Sequence, residues 1–221
     1  LFLTYQRYIR SMDTPLKYWL RSLVKKAAYD HSTTHVLVPK GALHDALVEF
    51  GKTIPDDDLY NDDEGDKGRE SEPHVTVRYG ITDTLPDKVR QAVANTGPVR
   101  IKLGPISKFD NPKYDVLKLD IDSPSLHRLN SLVDAHVPFK SDFPTYTPHL
   151  TLAYVRKGKA KHLIGQHPFK GMSFTVHSLQ FRNPLGESTD INLLDPSKSK
   201  KYLKDELLEL TKEMKDVRLP S

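Results

Sequence analysis

The sequence predicts an α+β protein built from two similar lobes, and a short motif that occurs twice is the main reason. The chain reads Pro-His-Val-Thr-Val-Arg-Tyr at residues 73–79 and Pro-His-Leu-Thr-Leu-Ala-Tyr at residues 148–154. Pro, His, Thr and Tyr recur at the same offsets, with aliphatic residues on either side of the Thr. Both copies alternate with the period of two that is typical of strands. The elements predicted around each copy also roughly repeat, which favours two lobes that face one another across a cleft.

In the first lobe, the spacing of apolar residues predicts a strand and a helix ahead of the motif, a helix after it and then two strands. Their expected bounds are, in order, 34–38, 43–50, 85–94, 99–107 and 114–122.

In the second lobe, Ser123 is a predicted N-cap with Pro124 at the first helical position, so a helix begins there. The second motif follows it. A short basic segment over residues 157–161, counted as a helix, and two strands over residues 173–181 and 190–194 complete the order.

The two ends of the chain lie outside this repeat, so the domain is predicted to span residues 31–196. Residues 1–30 form a predicted helical extension whose basic face is interpreted as solvated rather than as a nucleic-acid arm. Residues 197–221 form a predicted amphipathic helix with a heptad-like apolar stripe, which packs on the domain or makes a weak dimer contact. Since the chain begins with Leu, we expect it to be a trimmed chain or a piece of a longer one.

The composition excludes several classes of site. The 221-residue chain contains no cysteine, which excludes disulfides, thiolate metal sites and a cysteine nucleophile and favours a reducing, cytoplasmic location. No apolar run approaches the ~20 residues that span a bilayer, so no membrane partner is expected. The net charge is +4, yet residues 55–66 hold seven acidic side chains and no basic one, which leaves +11 on the remainder. A body this basic fits a polyanionic partner such as RNA or a nucleotide, or simply a soluble basic protein.

The acidic segment is predicted to be a flexible loop over about residues 55–72, because its glycines do not place acidic ligands at the positions of a calcium loop. It lies just before the first motif, so a lid is one interpretation of it. The remaining histidines show no metal-ligand spacing, and His35 is interpreted as structural.

The motifs themselves point to phosphodiester chemistry. Residues i and i+2 of a strand share a face, so each motif offers an imidazole and a hydroxyl to one side. Metal-free cleavage of an RNA-type phosphodiester needs a base, an acid and donors to the phosphoryl oxygens. Imidazoles suit the first two tasks because their pKa lies near operating pH. The predicted catalytic residues are His74, His149, Thr76 and Thr151.

Three further residues are candidates for substrate binding. Arg78, at i+4 from the first His, is expected on the same face, where it could bind phosphate. Tyr79 and Tyr154, at i+5, are expected on the core face as packing residues, with stacking on a base as the alternative.

The paired His-x-Thr pattern resembles that of the 2H phosphoesterases, which include 2′,5′ RNA ligase-like enzymes and cyclic nucleotide phosphodiesterases. The resemblance covers roughly residues 31–195. It implies a bilobal duplicated fold, with two mainly antiparallel sheets that face a central cleft and helices outside. It also implies that the two His act as acid and base, that the two Thr hold phosphate, and that no metal or cofactor is needed.

The resemblance leaves the substrate open. A cyclic or short oligonucleotide, or a 2′,3′-cyclic phosphate, is the preferred partner, since no RNA-binding module is appended to the chain. Some phage-encoded members of the family degrade cyclic oligonucleotides that signal bacterial immunity, and that type is one alternative. The others are RNA 2′-5′ ligation, a non-catalytic nucleotide- or RNA-binding protein with the same fold, and a metallohydrolase.

Overall fold

A computed structural model describes residues 31–61, 67–141, 143 and 145–193 of the chain. The predicted N-terminal extension, the predicted C-terminal helix and the centre of the acidic segment lie outside the described residues. None of the helices within the described ranges is long and apolar enough to cross a membrane.

The described residues form eight strands and three α-helices. The strands are β1 (Ser32–Leu37), β2 (His74–Ile81), β3 (Val99–Asp110), β4 (Tyr114–Asp122), β5 (His149–Arg156), β6 (Ser173–Val176), β7 (Ser178–Arg182) and β8 (Ser188–Asn192). The helices are α1 (Ala42–Lys52), α2 (Asp87–Val93) and α3 (Pro124–His136), and two short 3₁₀ turns lie at Asp56–Asp58 and Lys161–Leu163. The helix expected in the basic segment after β5 is thus only a 3₁₀ turn.

The strands lie in the order β6-β3-β4-β5-β2-β1-β7-β8, and each pair of neighbours is antiparallel. We call β2, β1, β7 and β8 the first half, and β5, β4, β3 and β6 the second half. Each half carries one motif strand at its inner edge. The prediction of two separate sheets differs from this arrangement, because the motif strands pair with each other and join the halves into one sheet.

The join is narrow. Among the described residues, Val75 and Leu150 are the one pair of partners between β2 and β5. Loop residues pair with the parts of β2 and β5 that do not pair with each other. Ile81 of β2 pairs with Phe139, and Ala153 of β5 pairs with Arg69. The flanks of the acidic segment therefore make main-chain pairs with the second half.

Helices cover one face of the sheet. Val75 and Leu150 are fully buried, and α3 contributes the buried Leu126, Leu129 and Val133 to the same core. Ser123 starts α3 as predicted, since its side chain accepts a hydrogen bond from the Leu126 amide at 3.2 Å. Burial of each such aliphatic side chain stabilises the fold by about 1.5–3 kcal/mol. We call this side the helix face and the opposite side the motif face.

The strand expected over residues 173–181 is two strands. β6 pairs with β3 of the second half, whereas β7 pairs with β1 of the first half. The chain therefore crosses from one half to the other at His177, a step that alternation of residues does not reveal.

Candidate active site

The register of the motif strands brings the four predicted catalytic residues to one face. Since Val75 pairs with Leu150, the antiparallel register sets His74 opposite Thr151 and Thr76 opposite His149. Diagonal neighbours in such a pair lie about 7–8 Å apart, which leaves space for a phosphate between the two imidazoles. The two rings therefore share one cleft.

Both imidazoles are oriented by a hydrogen bond to the main-chain carbonyl two residues earlier. Nδ1 of His74 lies 2.9 Å from the Glu72 carbonyl, and Nδ1 of His149 lies 2.9 Å from the Thr147 carbonyl. A carbonyl only accepts, so Nδ1 of each ring carries a proton and donates. In both motifs the intervening residue is Pro, which holds the residue before it in an extended conformation. Nε2 of each ring is thereby left to act on a substrate.

A β-bulge follows the Thr in both motifs and reverses the faces of the next residues. In the first motif, Thr76 pairs with His35 but Arg78 pairs with Thr34, so Val77 is an extra residue. In the second, Thr151 pairs with Lys118 but Ala153 pairs with Leu117, so one residue is again extra. An inserted residue shifts everything after it to the opposite face.

Because of the bulge, Arg78 does not lie on the motif face, where the sequence predicted it. Its side chain turns to the helix face, where the guanidinium forms an ion pair with Asp134 of α3 and lies 4.0 Å from the Phe139 ring centre. The side chain is only 10% exposed. The structure thus sets Arg78 apart from the two imidazoles.

The two bulges move both tyrosines from the expected core face to the motif face. Tyr79 is 44% exposed, and its ring lies 4.1 Å from that of His31. Tyr154 packs against Tyr114 at 5.7 Å, and the Lys67 ammonium lies 5.0 Å from its ring centre. The motif face therefore carries an aromatic side chain beyond each motif Thr.

In the second half, β4 adds charged residues that the sequence analysis missed. Lys118 lies opposite Thr151, and Asp120 lies opposite His149. Although Lys118 is only 3% exposed, its ammonium donates to Asp120 Oδ1 at 2.5 Å and to Ser107 Oγ at 2.6 Å. The Phe109 ring contacts both groups: its centre lies 4.4 Å from this ammonium and 4.8 Å from the centre of the His149 ring.

In the first half, His35 of β1 occupies the position that corresponds to Lys118. It lies opposite Thr76, and its ring contacts the His74 ring at 4.9 Å. Its nitrogens lie 2.6 Å from Thr33 Oγ1 and 3.4 Å from Thr76 Oγ1. Burial, followed by the charges of His74 and Arg182, lowers its pKa to about 3, so the ring is neutral at physiological pH. The interpretation of His35 as merely structural leaves out its contact with the motif.

The surroundings of the two motif histidines differ in charge. Burial is the largest influence on the pKa of His149 and lowers it, and the nearby charges of Lys118 and His74 lower it further. The Thr147 carbonyl and Asp120 oppose this shift without reversing it. On the other side of the cleft, the Glu70 carboxylate is the acidic neighbour of His74, with Oε2 3.6 Å from Nδ1.

The described residues contain no group of three or more His, Asp or Glu side chains placed to hold a metal ion. Acid–base chemistry by the imidazoles, with hydroxyl and ammonium donors beside them, is what the described side chains can carry out.

Comparison with known proteins finds one matching family model and several structures with the same fold. The family described as the 2'-5' RNA ligase superfamily matches residues 82–187, a stretch that contains the second motif and begins just after the first. No curated protein matches the sequence.

Solved structures share the fold at low sequence identity. Usb1 of Kluyveromyces marxianus is 12% identical, with a TM-score of 0.51 over 74% of this chain and 98% of that one. The same protein with uridine monophosphate gives 11% identity and a TM-score of 0.50, over 74% of this chain and 99% of that one. TT0787 of Thermus thermophilus is 17% identical, with a TM-score of 0.50 over 74% of this chain and 98% of that one.

Proposed function

We propose that this chain is a 2H phosphoesterase that cleaves RNA-type phosphodiesters without a metal ion. The matched superfamily and the shared fold support this proposal. The observation that carries the proposal is the paired arrangement of the motifs. Each imidazole has Nδ1 tied to a carbonyl, and the register sets each of them opposite the Thr of the other motif.

The phosphate of the substrate binds between the two motif strands. Thr76 and Thr151 donate to its non-bridging oxygens, and their β-branched side chains lose little freedom in doing so. Lys118, which lies opposite Thr151, adds positive charge on the side of the second half. Such fixed donors stabilise the charge that develops on the phosphoryl oxygens.

The unequal surroundings of the two imidazoles suggest their roles. His149, whose pKa is lowered, is neutral at physiological pH and takes the proton from the attacking 2′-hydroxyl or water. His74, with Glu70 beside it, donates a proton to the leaving oxygen. The bond from phosphorus to the attacking oxygen forms as the bond to the leaving oxygen breaks, and one proton moves at each end.

The substrate is a cyclic or short oligonucleotide, or a 2′,3′-cyclic phosphate. The fold relative Usb1 has been solved with uridine monophosphate, and this chain presents aromatic side chains beyond both motifs. We expect Tyr79 and Tyr154 to stack on the bases that flank the scissile phosphate, an interaction that tolerates any base.

Turnover by motif variants tests the proposal. The wild-type protein is incubated with 2′,3′-cyclic nucleotides, 2′–5′ oligoadenylate and cyclic di- and trinucleotides, and the products are identified by mass. His74→Asn and His149→Asn keep an amide that can donate to the same carbonyl but cannot titrate, so each should lower kcat by about 10²–10⁴-fold. EDTA should leave the wild-type rate unchanged. Full activity in either variant would remove the acid–base assignment, and joined rather than cleaved products would indicate ligation.

A further inference from the structure

A second basic site lies at the outer side of the second half. A groove of about 590 Å³ runs between β3, β6 and the start of α3. Three cations line it, Arg100 and Lys102 from β3 and Arg128 from α3, together with a single carboxylate, that of Asp122. The groove thus carries an excess of two positive charges.

The three cations are available to a ligand. Arg100 donates to Ser173 Oγ at a long 3.4 Å, and no ion pair joins Arg100, Lys102 or Arg128 to a carboxylate within the described ranges. Lys102 lies opposite Asp122 in the register without an ion pair between them. Elsewhere on β3 a cation does have such a partner, since Lys108 forms an ion pair with Asp110. A cluster of unpaired cations in a concave site favours an anionic ligand.

The β3 and β4 side chains of the groove point to the same face of the sheet as the motifs, whereas Arg128 reaches the groove from α3. Asp120 lies opposite His149, and Asp122 follows two residues later on β4, so it points to the same side about 7 Å further along. Arg100 and Lys102 alternate with the buried Ile101 of β3, which directs them away from the core. A chain bound between the two imidazoles can therefore continue along β4 into the groove.

We propose that this groove binds a second phosphate of an oligonucleotide whose scissile phosphate lies between His74 and His149. The inference rests on the proposed function and narrows it: the substrate is an oligonucleotide with a phosphate beyond the reacting one, rather than a mononucleotide. One guanidinium group can donate two parallel hydrogen bonds to two phosphate oxygens. Arg100 and Arg128 are therefore the residues that we expect to hold the second phosphate. The negative charge of the Asp122 carboxylate repels a ligand group that is more negative than a single phosphodiester.

Binding and turnover test the groove separately. In the catalytically inactive His149→Asn background, binding of a fluorescent oligouridylate of about eight nucleotides is measured by anisotropy across a range of salt concentrations. Arg100→Gln/Arg128→Gln should weaken binding by about tenfold and reduce the slope of log K against log salt by about 1.4. The matched control, Lys88→Gln/Arg90→Gln on α2, removes the same charge outside the groove and should change neither quantity.

Turnover is then compared in the otherwise wild-type protein. Arg100→Gln/Arg128→Gln should raise KM for an oligouridylate ending in a 2′,3′-cyclic phosphate about tenfold more than KM for uridine 2′,3′-cyclic phosphate. Equal changes for both substrates, or binding no weaker than that of the α2 control, would overturn the groove while leaving the proposed function intact. If wild-type protein turned over no substrate, the proposed function would fail, and the anisotropy result would still decide whether the groove binds.

Discussion

Replacement of Lys118 by Met should move the pH dependence of catalysis. Burial is the largest influence on the pKa of His149, and Lys118 and Asp120 add effects of opposite sign: the ammonium lowers this pKa and the carboxylate raises it. In Lys118→Met the side chain still fills its buried position, but only the negative charge of Asp120 remains. The pKa of His149 must therefore rise.

The register allows the size of the shift to be estimated. Lys118 lies opposite Thr151, which makes it a diagonal neighbour of His149 at about 7–8 Å. At an effective dielectric constant of about 20, a unit charge at that distance contributes about 2 kcal/mol, or about 1.6 pKa units. Water in the open cleft reduces this effect, so we expect a rise of about one unit.

The profile of kcat/KM against pH measures the shift. His149 must be neutral to act as the base, so the rate falls below its pKa, and a higher pKa moves the acidic limb upward by about one pH unit. Lys118→Arg retains the charge and should leave the limb in place, whereas Asp120→Asn should move it downward. If the alkaline limb moved instead, His149 would be the acid; if neither limb moved in a folded Lys118→Met protein, the electrostatic reasoning would be refuted.

Three predictions concern stability. Asp134→Ala leaves the guanidinium of Arg78, whose side chain is only 10% exposed, without its carboxylate partner. The free energy of unfolding, measured in urea, should fall by about 2–3 kcal/mol, and the double variant Arg78→Met/Asp134→Ala should recover part of that loss. Gly80→Ala should cost more than about 2 kcal/mol, since φ is +81° and a Cβ would meet the Lys140 carbonyl. Gly165→Ala, at φ +84° in open space, should cost only about 1 kcal/mol, and equal losses would contradict the clash. Because the pKa of His35 is about 3 in the fold against 6.5 unperturbed, the unfolded chain binds more protons between these values, so stability should fall as pH drops through that window. His35→Phe should flatten that fall, and an unchanged slope would exclude His35 as its source.

The motifs predicted the local structure around themselves well. Alternation of apolar residues correctly predicted strands at residues 74–79 and 149–154, and Ser123 followed by Pro124 correctly predicted the start of α3. These signals are visible in the sequence because they depend on neighbouring residues alone. The strand over residues 114–122 has the predicted bounds. The predicted resemblance to the 2H phosphoesterases agrees with the 2'-5' RNA ligase superfamily match over residues 82–187, and the fold is shared with solved structures.

What the sequence could not provide depends on pairing between distant segments. Alternation assumes an uninterrupted ladder, and a bulge is visible only once the partner strand is known. Arg78, Tyr79 and Tyr154 were therefore assigned to the wrong faces. Lys118 and His35 join the site because β4 and β1 flank the motif strands, an order that no local pattern specifies.

The crossing of the chain at His177 also bears on how the protein is made. Strands β3 to β6 are contiguous between residues 99 and 176, so the second half has all its strands as soon as that stretch has left the ribosome. The first half begins earlier but must wait for β7 and β8, which end at residue 192. During synthesis, β1 therefore presents a bare hydrogen-bonding edge of the kind that invites mispairing. The half translated first is the half assembled last.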